Sequence, residues 1–273
     1  MFTQRRNSNM VQAAGTTLAL IYHQTVYNLR FSHRSALFGL LAIILQSAMF
    51  IIILLALYTL IGIRNSPIRG DFMLYIMSGI FIYMTHVQTA TAVAGSHSLA
   101  SGVVKHEPLN AAVLIAGAAC AMLYRQMISC LVILSIYHLA FQPITIYDPV
   151  GAMALLLLAW FSGMAVGMVF LGIKPWSPAA SRGLATFYQR VNMFASGKMF
   201  VANTLPNFIL PWFIWNPLFH LIDRERGFLF INYSPHKTWL LYPLWVTLAC
   251  FMVALLINFT TRKYESVSWS AVQ

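Results

Sequence analysis

His220 and Asp223 are the first pair of residues in this chain whose types and spacing could support chemistry. They lie three positions apart, so a helix would place both on one face. A histidine beside a carboxylate can handle protons. The alternative is a surface pair next to Arg224 and Arg226, and the sequence favours it, because acid–base chemistry needs converging titratable groups and the chain has only six carboxylates.

Lys198 is the sharpest anomaly, since it stands alone in an otherwise uncharged stretch from 191 to 222. A lysine at the centre of a membrane span costs roughly 2.5–3.5 kcal/mol on insertion scales. Lys198 therefore either lines a path for an anionic or heavily hydroxylated substrate or extends its ammonium to the membrane surface. Both interpretations stay open. Arg125 is expected to reach the inner interface from a span that starts near Met122.

Several kinds of catalytic site are missing from the sequence. There is no phosphate-binding loop, no Gly-x-Ser-x-Gly, no His-Glu-x-x-His and no dinucleotide-binding glycine pattern. Cys120, Cys130 and Cys250 lie in apolar runs without metal-ligand spacing. We therefore expect no catalytic residue and no metal site, and we expect that this chain does not hydrolyse ATP by itself. A membrane glycosyl- or acyltransferase is a weaker alternative, and a scaffold or assembly factor stays open.

Composition indicates an integral membrane protein. Hydrophobic residues make up 59% of the chain and charged residues 8%, against about 25% charged residues in soluble domains. The first 35 residues are polar and basic, and we expect no removable signal peptide there. The prediction is an all-α integral membrane fold with six transmembrane helices, near 37–61, 72–95, 122–143, 150–173, 186–206 and 239–260.

Basic residues predict the orientation of these spans. With both termini inside, the inner face holds ten basic and two acidic residues, and the outer face holds five basic and four acidic residues. The net charge of +11 therefore mostly follows the positive-inside rule and does not require nucleic acid as a partner. We expect a cytoplasmic tail and interfacial helix in 1–35, a transmembrane domain in 36–261 and a cytoplasmic tail in 262–273.

Two inner segments are not predicted to span the membrane. Residues 11–34 place Leu18, Tyr22, Val26 and Leu29 at helical spacing, which predicts an amphipathic helix in the inner interface. The alternative is a partly ordered tail. Residues 96–121 are predicted to form a short polar helix and a more apolar one, separated at Pro108.

The outer segment 206–237 is too long for a plain connection and is aromatic rather than loop-like. Its prolines break an apolar run, and broken apolar backbone at membrane depth requires protein or water around it. We predict two short helices that dip back into the membrane. Four of its aromatic residues serve either as an interfacial belt, which composition favours, or as a stacking platform for sugars: Trp212, Phe213, Trp215 and Phe219.

Three short stretches resemble the ABC-2 type permeases that export capsular polysaccharide, O-antigen and related glycans. They are Arg190-Val-Asn-Met-Phe-Ala-Ser-Gly197, Trp215-Asn-Pro-Leu-Phe-His-Leu-Ile-Asp-Arg224 and the weaker Gly102-Val-Val-Lys105-His-Glu-Pro108. The resemblance covers about residues 11–265. The family usually has an apolar residue at the position of Lys198, so the charge of the substrate is open.

The resemblance implies a homodimer in the bacterial inner membrane, joined by two copies of an ABC ATPase subunit that binds ATP and Mg²⁺. A glycan substrate and a periplasmic or outer-membrane export partner belong to the same expectation, and another lipid or amphipathic cargo is the alternative. The implied substrate path comprises Lys198, Arg190, Tyr58, Trp212, Trp215 and Phe194. The implied contacts with the ATPase are Lys105, His106, Glu107 and Arg30, within a coupling region 96–121. The implied outer gate, within 206–237, includes Asn216, Pro217, His220 and Asp223.

Overall fold

A computed structural model describes residues 10–31, 36–62, 67–96 and 110–270 of the chain. These residues form α-helices and short 3₁₀ turns, and no strand occurs among them. The helices are α1 Met10–Phe31, α2 Ala36–Leu60, α3 Phe72–Gly95, α4 Ala111–Ala140, α5 Pro149–Ile173, α6 Pro178–Ala195, α7 Pro217–Leu229 and α8 Leu241–Ser270. The predicted all-α fold is confirmed.

Four helices in the described part of the chain are long and apolar enough to cross a membrane. They are Leu37–Leu60 in α2, all of α4, all of α5 and Leu241–Thr261 in α8. These helices support a membrane protein, and they are fewer than the six predicted. Helix α3 has the predicted bounds of the second span, but polar residues such as His86 and Gln88 interrupt its apolar sequence.

Helix α3 is the centre of the bundle, because nearly all of its side chains from Leu74 to Val87 are buried. Helix α5 crosses it closely at two glycines. A Cβ atom on Gly163 would lie 2.3 Å from the carbonyl oxygen of His86, and one on Gly167 would lie 2.6 Å from that of Ala90. Small residues four positions apart allow membrane helices to approach to backbone contact, so this Gly-x-x-x-Gly pattern sets the spacing of α3 and α5.

Helix α4 differs from the prediction in where the third span begins and in how far the inner segment 96–121 extends. It begins at Ala111 rather than near 122, so the apolar half of the predicted inner segment 96–121 continues into the span. Residues 111–121 include six alanines, the best helix former, and no proline, so nothing stops the helix there. Residues 97–109, with the predicted break at Pro108, lie outside the described residues.

Helix α1 confirms the helix predicted in 11–34, and it packs along α4. Gly117 of α4 admits the side chain of Gln24, whose Cγ would lie 2.5 Å from a Cβ at that glycine. The predicted apolar face is only partly covered, since Leu18 and Tyr22 stay about two-thirds exposed.

Arg125 does not extend to the surface as predicted. It is 6% exposed, and its Nη2 donates to the carbonyl oxygens of Asn28 and Leu29 at 3.0 and 3.2 Å. The early start of α4 places Arg125 well inside that helix, where the last turn of α1 presents carbonyl groups without helical partners. A cation at a helix C-terminus also interacts favourably with the helix dipole.

The predicted fifth span, 186–206, is wrong as a continuous helix. Helix α6 ends at Ala195, where the amide of Ser196 still donates to Asn192, and Gly197 then adopts φ +75°. A positive φ suits glycine and terminates an α-helix. The chain then runs through two 3₁₀ turns, Ala202–Thr204 and Leu210–Trp212, before α7 begins.

Candidate functional site

The unusual chemistry of this chain gathers where the turn 196–201, between α6 and α7, packs against α3. Gly79 of α3 makes this contact possible. A Cβ atom there would lie 3.0 Å from the Cβ and 3.1 Å from the Cα of Lys198, and 3.1 Å from a guanidinium nitrogen of Arg226. The backbone of the turn therefore lies directly on the α3 surface, and two cations meet at this point.

Lys198 is 2% exposed, and its ammonium turns back into the protein. Its Nζ donates to the carbonyl oxygen of Met193 and lies 3.7 Å from the centre of the Tyr83 ring. A ring face attracts a cation, most strongly where water is excluded. In the single chain, Lys198 thus neither lines an open path nor reaches the surface, and its predicted contact with substrate stays a prediction.

Arg226 was predicted to lie on the outer face, but it is completely buried. Its guanidinium donates to three carbonyl groups of the turn, those of Gly197, Lys198 and Phe200, at 3.3, 2.8 and 2.6 Å. The guanidinium carbon also lies 4.2 Å from the centre of the Tyr75 ring. Because the rigid guanidinium fork can satisfy several acceptors at once, Arg226 joins α7, the turn and α3.

Asp223 is 1% exposed, so the favoured interpretation of a surface pair is wrong. Its carboxylate accepts from the amide of Ala202 at 3.1 Å, the hydroxyl of Tyr233 at 2.6 Å and the hydroxyl of Thr238 at 2.8 Å. These three donors belong to the segments before and after α7. Asp223 therefore ties both ends of the 202–238 segment to the helix.

His220 is 2% exposed and does not bond to Asp223, so the predicted proton-handling pair is not assembled. The amide of Trp239 donates to its Nδ1 at 3.0 Å, and its Nε2 then donates to the carbonyl oxygen of Ile214 at 2.7 Å. These two bonds require the neutral ring, and burial lowers the pKa of His220 in the same direction. His220 thus joins two backbone segments.

Asn216 and Pro217 begin α7. The side-chain oxygen of Asn216 accepts from the amide of Leu218 at 3.0 Å, and proline occupies the first helical position. The amide nitrogen of the same side chain donates to Asn192 at 3.0 Å and to the carbonyl oxygen of Ala195 at 2.9 Å. Asn216 therefore joins the end of α6 to the start of α7.

Glu225 belongs to the segment 206–237, which is predicted to lie on the outer side, and it is only 6% exposed. Its Oε2 has no hydrogen-bond partner among the described residues. Helix α7 packs on both α3 and α5, which removes its polar residues from solvent. Burial raises the pKa of the Glu225 carboxyl. Neither the burial nor the missing partner is visible in the sequence, where Glu225 sits between two arginines.

The other predicted path residues are divided between interior and surface. Tyr58 is buried and donates a hydrogen bond to the carbonyl oxygen of Met199, so it braces the turn. The remaining four are exposed in the single chain: Arg190, Phe194, Trp212 and Trp215. Phe219, which we grouped with the exposed aromatics, is 1% exposed and packs with Phe200 and Phe213.

The predicted ATPase contacts Lys105, His106 and Glu107 lie outside the described residues. Arg30 is exposed near the end of α1.

A second polar cluster, which sequence reasoning missed, lies between α3, α5 and α6. The ring nitrogens of His86 are 2.7 Å from the hydroxyl of Ser162 and 2.7 Å from that of Tyr188. Ser162 donates to the carbonyl oxygen of Ala159 at 2.8 Å, so His86 Nδ1 donates to Ser162 and Tyr188 donates to Nε2. A histidine inside an apolar helix was the available signal.

The contacts around the turn 196–201 and α7 hold an irregular stretch of backbone in place. Four buried side chains bond to backbone groups between Met193 and Ala202, namely those of Lys198, Asn216, Asp223 and Arg226. No group of three or more His, Cys, Asp or Glu side chains suited to a metal ion occurs in the part of the chain that the structure describes.

No protein-family model matches this chain, and no curated protein matches it significantly.

Proposed function

We propose that this chain is the membrane-embedded permease subunit of an ATP-driven exporter, and that its substrate is a polysaccharide or a lipid-linked glycan. The observation that supports this most strongly is helix α7. It has two acidic and two basic residues, yet three of these four are buried among apolar helices. Irregular backbone at membrane depth occurs where protein surrounds it or where it borders a water-filled path. A transporter requires such a path, so a transport function accounts for this segment.

Six spans remain our proposal for the topology. Beside the four candidate spans, α3 supplies the second, and α6 with the turn 196–201 supplies the fifth in broken form. The segment 202–237, with α7 in it, then re-enters the membrane from the outer side and forms the outer gate. Both termini are cytoplasmic in this arrangement, which agrees with the excess of basic residues assigned to the inner face.

Movement of this outer segment would open and close the path. Arg226 attaches it to the turn 196–201 and to Tyr75 of α3. Asn216 attaches it to the end of α6, and His220 bonds to Trp239, just before α8. Packed interfaces of this kind tend to have discrete alternatives rather than continuous ones. An ATPase on the cytoplasmic side, acting through Arg30 and the segment around Lys105, would bias the bundle between two such states.

Two copies would form a homodimer around a central path, as the resemblance implies. In the single chain, Phe194 is 65% exposed and Leu45 and Ile52 of α2 are 54% and 62% exposed. A second copy would cover part of this apolar surface, and the path would run between copies, past Arg190 and Trp215.

The first experiment is purification of the tagged chain from its native membranes in mild detergent, with identification of the bound proteins by mass spectrometry. We expect one ATPase subunit with a phosphate-binding loop for each permease chain. Loss of the gene should leave finished glycan inside the cell. Purification without an ATPase in several detergents, together with an unchanged surface glycan in the deletion strain, would refute the proposal and favour a membrane enzyme.

Coupling is tested by a matched pair of lysines on the inner side. We expect Lys105→Ala to lower ATP hydrolysis by the purified complex severalfold, whereas Lys263→Ala in the C-terminal basic tail leaves it unchanged. Equal effects of the two substitutions would remove the coupling role from the segment around Lys105.

A further inference from the structure

A cavity of about 450 Å³ lies between α5, α6 and α8, separate from the turn that holds Lys198. Small-molecule sites in proteins typically measure roughly 300–1,000 Å³. Apolar side chains dominate its wall, among them Val166 and Phe170 of α5, Leu184 of α6, and Val246 of α8. The volume and the lining suit an aliphatic ligand.

The polar groups of the cavity wall are few and uncharged. Asn192 and Asn216 bond to each other, and both ring nitrogens of His86 are engaged. The exception is Thr247, which is 2% exposed and whose Oγ1 has no hydrogen-bond partner among the described residues. That oxygen is itself inaccessible, so the wall offers a ligand neither a charge nor an unpaired polar atom.

The rim indicates what surrounds the cavity. Leu184, Phe187 and Trp215 line it and are also 46%, 68% and 58% exposed, so the apolar wall continues onto the outer surface of the bundle. Both α5 and the adjoining part of α8 are apolar enough to cross a membrane. The medium at the rim is therefore the hydrocarbon of the bilayer.

We infer that this cavity is a lipid site, which holds one acyl chain of a membrane phospholipid and leaves the glycerol and the headgroup outside. Protein interiors contain few voids larger than a water molecule, and a stable buried water needs two to four polar partners, which this wall does not provide. An acyl chain is the apolar group that a bilayer supplies. The inference is independent of the transported substrate and of any ATPase.

The test compares two tryptophan substitutions on the same helix. Val246→Trp fills the cavity, whereas Met252→Trp adds the same ring at a position that is 61% exposed. Each chain is reconstituted with phosphatidylethanolamine and phosphatidylglycerol, exchanged into lipid-free detergent and measured by native mass spectrometry. We expect one phospholipid for each chain in the wild type and in Met252→Trp, and at least a tenfold lower occupancy in Val246→Trp.

Alkylation of cysteines tests the inference in the wild-type chain, without any variant that must fold. Cys250 lines the cavity, whereas Cys120 of α4 does not. Phospholipid added to delipidated wild-type chain should slow the alkylation of Cys250 by a maleimide and leave that of Cys120 unchanged. The inference fails if the wild type retains no phospholipid, if Val246→Trp retains as much as Met252→Trp, or if lipid slows both cysteines equally.

Discussion

Substitution of Gly163 by alanine tests whether backbone contact between α3 and α5 holds the bundle together. The added methyl would lie 2.3 Å from the carbonyl oxygen of His86, and ordinary contact begins at 3.4 Å. The obstacle is backbone inside a buried helix, which cannot turn away as a side chain would. The two helices must therefore separate, and the hydrogen bonds between His86 and its neighbours Ser162 and Tyr188 must stretch.

The expected cost follows from this clash. Overpacking of a close-packed interior costs about 1–3 kcal/mol. A change of 1 kcal/mol shifts the midpoint of thermal unfolding by roughly 2–4 °C in chains of 150–250 residues. We therefore expect Gly163→Ala to lower the midpoint by about 2–12 °C.

Gly183→Ala is the matched control. Gly183 also lies within a helix, α6, but beyond its own helix backbone no described residue lies within 4 Å of a Cβ atom placed there. Alanine stabilises a helix by roughly 0.5–1 kcal/mol relative to glycine, so this variant should unfold at the wild-type temperature or slightly above it. The assay is thermal unfolding in one mild detergent, followed by near-ultraviolet circular dichroism. An equal shift in the two variants would refute the argument that α3 and α5 meet through Gly163.

Three further substitutions test the contacts around the turn 196–201. Arg226→Met should lower the free energy of unfolding by at least about 3 kcal/mol in denaturant titration, because three carbonyl groups lose their shared donor and each costs about 1–3 kcal/mol. A loss no larger than that of the exposed Arg190→Met would contradict this role. Lys198→Met keeps the aliphatic stem and should cost about 1–3 kcal/mol through its ring contact and hydrogen bond; a variant as stable as wild type would show that neither contact contributes. Glu225→Gln should flatten the pH dependence of stability. The pKa of Glu225 is raised in the folded chain, so its contribution to the free energy of unfolding is present below the pKa of the unfolded chain and is lost as pH rises through the pKa of the folded chain. Identical pH profiles of variant and wild type would exclude this.

The helix ends show how far local sequence reaches. Asp71, Asp148 and Ser177 each cap the helix that follows them, and Pro149 and Pro178 occupy first helical positions. Four of the predicted spans begin within two residues of the observed helices, at 37, 72, 150 and 239. The start of α4 was missed, because an alanine-rich helix continues wherever no proline or cap stops it.

The site residues show where local sequence is not enough. Lys198 stood out because its charge is isolated, and its importance could be recognised without knowing its contacts. Asp223 stood out only through its spacing from His220, and Arg226 did not stand out, because a cluster of four charges after an apolar run is typical of a solvated loop. Their burial depends on the way in which α7 packs between α3 and α5, which are distant in the chain.

The sequence by itself determined the membrane class, the all-α fold and the points where helices begin, because hydropathy, capping residues and prolines act over a few neighbouring positions. It also contained the glycine that ends α6, although the break was predicted further along the chain. Only the tertiary structure decided which charges are buried and what they bind. Burial of a charge is a balance between desolvation and partners from other segments, and the partners of Arg226 and Arg125 come from residues about 26 to 97 positions away.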